Sequence, residues 1–232
     1  MTDIAGGYEK VRERVHAAAR AAGRDPQSVR IVAVAKTKPP EAVREAIAAG
    51  ATIIGENYVQ EARAKREAVG AGAAWHFIGR LQRNKARDAA ELFDVIQTLD
   101  SLRLAQALDR LARERGRPVH VLVEVNLGGE ATKGGIEPQA LGEFVTALEP
   151  FEGLQVDGLM TIPPPQDDPS ASRPYFRRLR ELRDALQARA SAHVPLAELS
   201  MGMTDDFEHA IAEGATLVRV GRAIFGQRSA RR

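Results

Sequence analysis

The chain has 232 residues, of which 44% are hydrophobic and 28% are charged, with 20 glycines, 12 prolines and no cysteine. This composition supports a sizeable core and excludes a disordered chain, a collagen-like repeat, a disulfide scaffold and any thiol chemistry. The 33 basic and 31 acidic residues leave a net charge of only +2 and alternate along stretches such as 177–184 (RRLRELRD), so we expect no nucleic-acid partner.

The amino terminus is the first segment that bears on location. Its first twenty residues lack an apolar signal core, and no run of the chain approaches the roughly 18 apolar residues of a membrane span. We therefore expect a cytoplasmic protein without a membrane partner. We also expect a monomer, because no helix of the sequence shows an obviously exposed apolar face.

Short β-branched runs then alternate with longer amphipathic stretches to the end of the chain. Strands are predicted at 29–35, 51–54, 74–78, 95–98, 119–125, 156–160, 197–200 and 217–220. Helices are predicted at 8–22, ahead of the first strand, and at 40–49, 57–69, 81–91, 101–115, 137–148, 173–191 and 204–213. This pattern predicts a single (β/α)8 TIM-barrel domain over residues 1–232 with an extra N-terminal helix. A doubly wound open sheet is the alternative, because alternation alone does not demonstrate closure.

Lys36 ends the first apolar strand. In a barrel of this kind the active site lies at the carboxyl ends of the strands, and alternation puts Lys36 on the same face as Val32 and Val34. Partial desolvation lowers the pKa of a lysine and frees its amine to attack a carbonyl group. The alternative is a strand-end lysine whose ammonium reaches solvent.

The middle strands offer fewer chemical groups. Asn57 follows strand two and is either a ligand-facing amide or the N-cap of the next helix. His76 lies in an apolar strand, where a satisfied core histidine is the usual reading. No histidine pair has metal-ligand spacing, so we expect no metal. The glycine-bounded stretch 128–135 after strand five resembles a lid.

The loops after strands seven and eight are where barrels commonly hold a phosphate group. Ser200, Gly202, Thr204 and Gly221 supply the small side chains and hydroxyls of such a cradle. Arg219 alternates with apolar neighbours and is predicted to face inward, where a buried arginine needs a partner. A reactive lysine and a phosphate cradle together imply a phosphorylated carbonyl ligand held as a Schiff base.

Six stretches of the sequence are also characteristic of one family. They are 33–38 (AVAKTK), 55–61 (GENYVQE), 75–85 (WHFIGRLQRNK), 158–162 (GLMTI), 199–207 (LSMGMTDDF) and 214–226 (GATLVRVGRAIFG). In these stretches, which span almost the whole chain, the sequence resembles the pyridoxal 5′-phosphate (PLP) homeostasis proteins. Their fold is like the barrel domain of bacterial alanine racemase.

The resemblance implies roles for individual residues. Lys36 would carry PLP as an internal aldimine, Arg219 would face the pyridine nitrogen and Asn57 would line the ring. The other candidate cofactor-binding residues lie after strands seven and eight: Ser200, Met201, Gly202, Gly221 and Arg222. Among them, Ser200, Gly221 and Arg222 would hold the phosphate group.

The same resemblance implies a vitamin B6 carrier and regulator without strong catalysis, with PLP-dependent enzymes as recipients. The related racemase has a second, β-rich domain that supplies a tyrosine base, and we expect this chain to lack that base. Two alternatives remain: a weak PLP-dependent amino-acid racemase, and a Schiff-base aldolase that acts on a sugar phosphate without a cofactor.

Overall fold

The computed structural model describes residues 2–130, 134–188 and 190–227. In them, eight parallel strands close into a barrel in chain order, and β8 pairs with β1. The strands β1 to β8 are Arg30–Val34, Ile53–Glu56, Ala74–Phe77, Val95–Leu99, Val119–Glu124, Leu154–Met160, Glu198–Ser200 and Leu217–Val220. The predicted TIM barrel is confirmed, and the open sheet is excluded.

Helices surround this barrel. The helices α1 to α9 are Ile4–Ala21, Pro40–Ala48, Val59–Val69, Ala86–Leu92, Leu102–Arg115, Leu141–Leu148, Arg173–Gln187, Phe207–Ala212 and Arg222–Phe225. The predicted N-terminal helix is present, and α1 packs against α2, α8 and α9. Since α9, which follows β8, has only one turn, α1 occupies the place of the eighth outer helix.

Alternation along each strand separates an inner from an outer core. Val32, Ile53, Leu122, Met160 and Leu217 form a cluster inside the barrel. The outward-facing strand residues belong to a second and larger cluster with the helices. An apolar floor therefore lies inside the barrel, and the polar strand residues are left for its carboxyl end.

Some predicted helices begin too early in the sequence. The helix predicted at 57–69 begins at Val59, after an extended Tyr58, and the one predicted at 204–213 begins at Phe207. The helix predicted at 81–91 begins with a 3-10 turn, Arg83–Lys85. These shifts leave the ends of the preceding loops free to face the barrel mouth.

The sequence predicts a lid at 128–135, and residues 131–133 of that stretch lie outside the described residues. Among the described helices, none combines the length and apolar character needed to cross a membrane.

Candidate functional site

A cavity of about 480 Å³ opens at the carboxyl ends of the strands, and we call it the mouth cavity. Its volume lies in the range of small-molecule sites. Five of the eight candidate residues line it: Lys36, Asn57, Arg219, Gly221 and Arg222. The structure therefore brings together residues at or just beyond the ends of β1, β2 and β8 that lie up to 186 positions apart in the chain (222 − 36).

Lys36 reaches the mouth cavity from a turn and not from the strand itself. β1 ends at Val34, and the N–H of Lys38 donates to the carbonyl oxygen of Ala35 at 3.0 Å. Thr37, between the two lysines, has a φ of +64°. Val34 and the half-buried Lys36 both line the cavity, as the alternation along β1 predicts.

Lys38 also lines the mouth cavity, but its side chain is committed elsewhere. Its Nζ donates to the carbonyl oxygens of Phe225 at 2.7 Å, Gln227 at 3.0 Å and Gly226 at 3.3 Å. These carbonyls lie at the C-terminal end of α9, where a cation is favoured. Lys38 therefore ties the loop after β1 to the helix after β8.

Asn57 contributes an unsatisfied acceptor. Its Oδ1 atom is buried and, within the described part of the chain, has no hydrogen-bond partner. The N-cap of α3 is Tyr58, so Asn57 does not cap this helix. A Cβ atom on Gly79 would lie 2.3 Å from the carbonyl oxygen of Asn57, so only glycine fits there. A buried polar atom without a partner at a cavity wall is a site for a ligand donor.

Arg219 is held at the bottom of the mouth cavity by two hydrogen bonds. Its Nη1 donates to Ser200 Oγ at 2.7 Å, and its Nη2 donates to the carbonyl oxygen of Thr161 at 2.8 Å. A guanidinium group has five N–H donors, so three remain after these two bonds. Burial lowers the pKa of Arg219 to about 10, and the side chain therefore stays charged at neutral pH.

The polar contacts continue across the barrel. Ser200 Oγ donates to Gln97 Oε1 at 2.6 Å, and Gln97 Nε2 lies 2.7 Å from Nδ1 of His76. The amide group can only donate there, so Nδ1 of His76 is the acceptor. Burial lowers the pKa of His76 to about 4, which agrees with a neutral ring. His76 is thus a buried, neutral histidine whose Nδ1 atom has a hydrogen-bond partner.

The loops after β7 and β8 form the remaining wall. Gly221 and Arg222 line the mouth cavity where α9 begins, and the first N–H groups of a helix have no partners within it. The Arg222 side chain pairs with Asp205, which also lines the cavity. Thr204 adds a hydroxyl group to the same wall.

The other three candidate residues lie behind this wall. Ser200 and Met201 are fully buried, Gly202 is buried, and none of the three is among the described residues that line the mouth cavity. Gly202 has a φ of +89°, and a Cβ atom there would lie 2.6 Å from that of Ala210. This left-handed residue turns the loop, so that Met203 and Thr204 face the cavity instead.

Glu124, at the end of β5, borders a smaller adjoining cavity of about 310 Å³ that also contacts Asn57. Its pKa is raised, mainly by burial and by the nearby Asp100, against the opposing effect of Arg219 and Arg80. Glu124 was not selected from the sequence as a site residue, although its position at the carboxyl end of β5 was the available signal. Thr204 was expected in the phosphate cradle but was not among the eight candidate cofactor-binding residues.

These groups suit a small anionic carbonyl compound. Lys36 offers an amine, Arg219 offers charged donors, and the start of α9 offers backbone N–H groups that favour an anion. The family described as "Alanine racemase, N-terminal domain" matches residues 8–229. The chain belongs to this family of barrel domains.

More similar proteins narrow the assignment. A pyridoxal phosphate homeostasis protein of Aquifex aeolicus is 46% identical over 220 residues, which cover 94% of this chain and 96% of that protein. The corresponding protein of Pseudomonas aeruginosa is 45% identical over 229 residues, which cover 98% and 97%. Within its family, the chain belongs to the pyridoxal phosphate homeostasis proteins.

A solved structure supports the same assignment. PipY of Synechococcus elongatus PCC7942, determined with PLP bound, is 39% identical to this chain and superimposes on it with a TM-score of 0.81. The match covers 93% of this chain and 100% of PipY.

Proposed function

We propose that this protein binds PLP covalently through Lys36 and acts as a carrier and regulator in vitamin B6 homeostasis, with PLP-dependent enzymes as recipients. The observation that carries the proposal is the convergence of Lys36, Arg219 and the start of α9 on one cavity of about 480 Å³. The names of the relatives and the PLP bound to PipY support the choice of ligand.

The residues of the mouth cavity fit PLP at each of its functional groups. When bound, PLP supplies an electrophilic aldehyde, and Lys36 is the amine placed for it. The unpartnered Oδ1 atom of Asn57 is an acceptor available to a hydroxyl donor such as the phenol of the ring. The start of α9, at Gly221 and Arg222, provides N–H donors for a phosphate group.

Arg219 would limit the reactivity of the bound ring. Arginine offers only donors and keeps its charge, so it can bond to the pyridine nitrogen only while that nitrogen carries no proton. PLP withdraws electrons best when the nitrogen is protonated, usually beside a carboxylate. Ser200 and the Thr161 carbonyl hold this arginine in place. A carrier with this arrangement would retain PLP without consuming amino acids.

The test is covalent attachment to a single lysine. Lys36→Ala should abolish the covalent attachment of PLP and leave the fold intact, because the side chain lies in a surface-connected cavity and not in the core. Lys38→Ala is the matched control, since Lys38 lines the same cavity while its amine contacts α9. This control should still form the covalent bond. Borohydride reduction followed by peptide mapping identifies the modified residue.

Each alternative function predicts a different result for the wild-type protein. A colourless wild-type protein that captures a sugar phosphate on Lys36 would establish the aldolase. Conversion of L-alanine to the D-isomer by the loaded protein, measured by chiral analysis, would establish the racemase. Modification of Lys38 in the wild type would contradict the assignment of the attachment site.

A further inference from the structure

A buried ion pair lies behind the turn that carries Lys36, outside the mouth cavity. Lys65 on α3 is 5% exposed, Glu56 at the end of β2 is fully buried, and Lys65 Nζ lies 2.6 Å from Glu56 Oε1. Burying two charges is expensive in desolvation. Neither residue is among those lining the mouth cavity, so the ligand-binding role proposed above does not explain the pair.

Lys65 and Glu61, both on α3, hold the two residues that flank Lys36. Lys65 Nζ also donates to the carbonyl oxygen of Ala35, directly before Lys36, at 2.8 Å. Glu61, one turn earlier on α3, accepts from the N–H of Thr37, directly after Lys36, at 3.0 Å. Glu61 Oε2 also lies 3.5 Å from Lys65 Nζ. Two side chains of α3 therefore hold the turn by hydrogen bonds, one on each side of the predicted attachment lysine.

The turn that carries Lys36 and is held by α3 includes a strained residue. Thr37 has a φ of +64°, a left-handed conformation that is costly for a β-branched side chain. Such conformations persist only where the surroundings fix them, and they concentrate at functional sites. The hydrogen bond from the Thr37 N–H to Glu61 is the contact by which α3 fixes the left-handed conformation of Thr37.

We propose that Glu61, together with the Lys65–Glu56 pair, is a positioning device that holds Thr37 in its left-handed conformation and thereby aims Lys36 into the mouth cavity. The inference rests on the proposed function, because its purpose is the attachment of PLP. None of the three residues is assigned contact with the cofactor. This positioning device also accounts for the two carboxylates of the GENYVQE stretch, Glu56 and Glu61, which have no role in the proposed binding site.

The experiment concentrates on Glu61, because Lys65→Met would leave the Glu56 charge buried without its partner and could unfold the chain. Glu61→Ala removes the acceptor for the Thr37 N–H, whereas Glu61→Gln keeps an oxygen acceptor. Glu67→Ala, an exposed position on the same helix, is the control. Thr37→Gly is made alone and combined with Glu61→Ala. Glycine adopts the left-handed conformation at little energetic cost, so the turn then no longer needs the contact with Glu61.

Two quantities are measured: the rate of covalent PLP attachment and, in the cofactor-free protein, hydrogen exchange at the residue 37 amide. Glu61→Ala should slow attachment about tenfold, the factor that corresponds to the steric cost of a left-handed residue, and should speed exchange at that amide. Glu61→Gln should stay close to wild type, and Glu67→Ala should match it. The double variant Thr37→Gly/Glu61→Ala should recover most of the lost attachment rate.

Attachment by Glu61→Ala at the wild-type rate would overturn the proposal, and so would a double variant as slow as Glu61→Ala alone. A merely structural role of Glu61 would lower the melting temperature but would give no rescue by glycine at position 37. If the wild type binds no PLP, the proposed function fails. Hydrogen exchange at the residue 37 amide still tests in that case whether Glu61 holds the turn.

Discussion

At the scale of single residues, two hydroxyl groups could serve the phosphate end of the site, and their positions differ. Ser200 Oγ is fully buried between Gln97 and Arg219, where it donates to one and accepts from the other. Thr204 lines the mouth cavity next to the start of α9. The phosphate role expected for Ser200 stays a prediction, and the geometry offers Thr204 for the same task.

The two hydroxyls can be tested as a pair. Thr204→Val keeps the shape of the side chain and removes the hydroxyl that would donate a charge-assisted hydrogen bond to the phosphate group, so we expect a loss of roughly tenfold in PLP affinity. The loss should disappear for pyridoxal, which has no phosphate group. Ser200→Ala should instead affect both ligands alike, because it acts through Arg219. Equilibrium titration of both variants with both ligands gives the comparison, and a phosphate-selective loss in Ser200→Ala would reverse the assignment.

The sequence predicted part of this site for a definite reason. Asn57 and Gly221 directly follow β2 and β8, and Lys36 lies two residues beyond the end of β1, so the rule that barrel sites lie at the strand carboxyl ends finds them. The inward direction of Arg219 follows from alternation along β8. The choice between Ser200 and Thr204 depends on the left-handed backbone at Gly202, and a dihedral angle of this kind is not encoded in strand periodicity.

At the scale of elements, α9 is the piece that the sequence pattern missed. Its four residues, Arg222–Phe225, are too few for hydrophobic periodicity to reveal a helix. Yet α9 connects three parts of the molecule, because it borders the mouth cavity, accepts the bonds of Lys38 and packs against α1. The prediction of an extra N-terminal helix was correct, but its place beside α9 followed only from the three-dimensional arrangement.

The contact between α1 and α9 depends on a glycine. A Cβ atom on Gly7 would lie 2.9 Å from the carbonyl oxygens of both Ala223 and Ile224, so the two backbones approach more closely than a side chain allows. Gly7→Ala should destabilise the protein by about 1–3 kcal/mol, the usual cost of overpacking. Urea unfolding of the cofactor-free protein measures the difference.

Gly142 on α6 is the matched control, because nothing lies within 4 Å of a Cβ atom built there. Gly142→Ala should raise the free energy of unfolding by up to about 1 kcal/mol, since alanine is the better helix former. Both substitutions gain the same helix propensity, so the difference between them isolates the clash with α9. Equal effects of the two substitutions would show that α1 can shift without cost.

At the scale of the whole molecule, a buried polar chain joins opposite sides of the barrel. His76 on β3, Gln97 on β4, Ser200 on β7 and Arg219 on β8 are linked in sequence by hydrogen bonds of 2.6–2.7 Å. The chain lies above the apolar floor and holds the charged group that faces the mouth cavity. Since each member satisfies the next, losing one member exposes the others to the cost of an unpaired buried group.

This series of buried hydrogen bonds makes the free energy of unfolding depend on pH through His76. In the unfolded protein a histidine takes up a proton near its ordinary pKa of 6.5, whereas His76 in the fold does so only at about 4. Between these values the unfolded state binds more protons, so the free energy of unfolding falls as the pH falls. The loss should reach roughly 3 kcal/mol near pH 4, at about 1.4 kcal/mol per pH unit. His120, whose pKa is raised by its hydrogen bond to Asp157, acts in the opposite direction.

A single substitution separates the contribution of His76 from the others. His76→Gln keeps an oxygen acceptor for Gln97 and cannot titrate, so the variant should lose less stability than the wild type between pH 6.5 and pH 4. His120 and the carboxylates are common to both proteins, and their contributions cancel in the difference. Urea unfolding at intervals of pH across this window provides the two curves. Parallel curves would mean that the ring of His76 is protonated in the fold at the same pH as in the unfolded chain. Below about pH 6.5 the amide of Gln97 could not then donate to its Nδ1 atom.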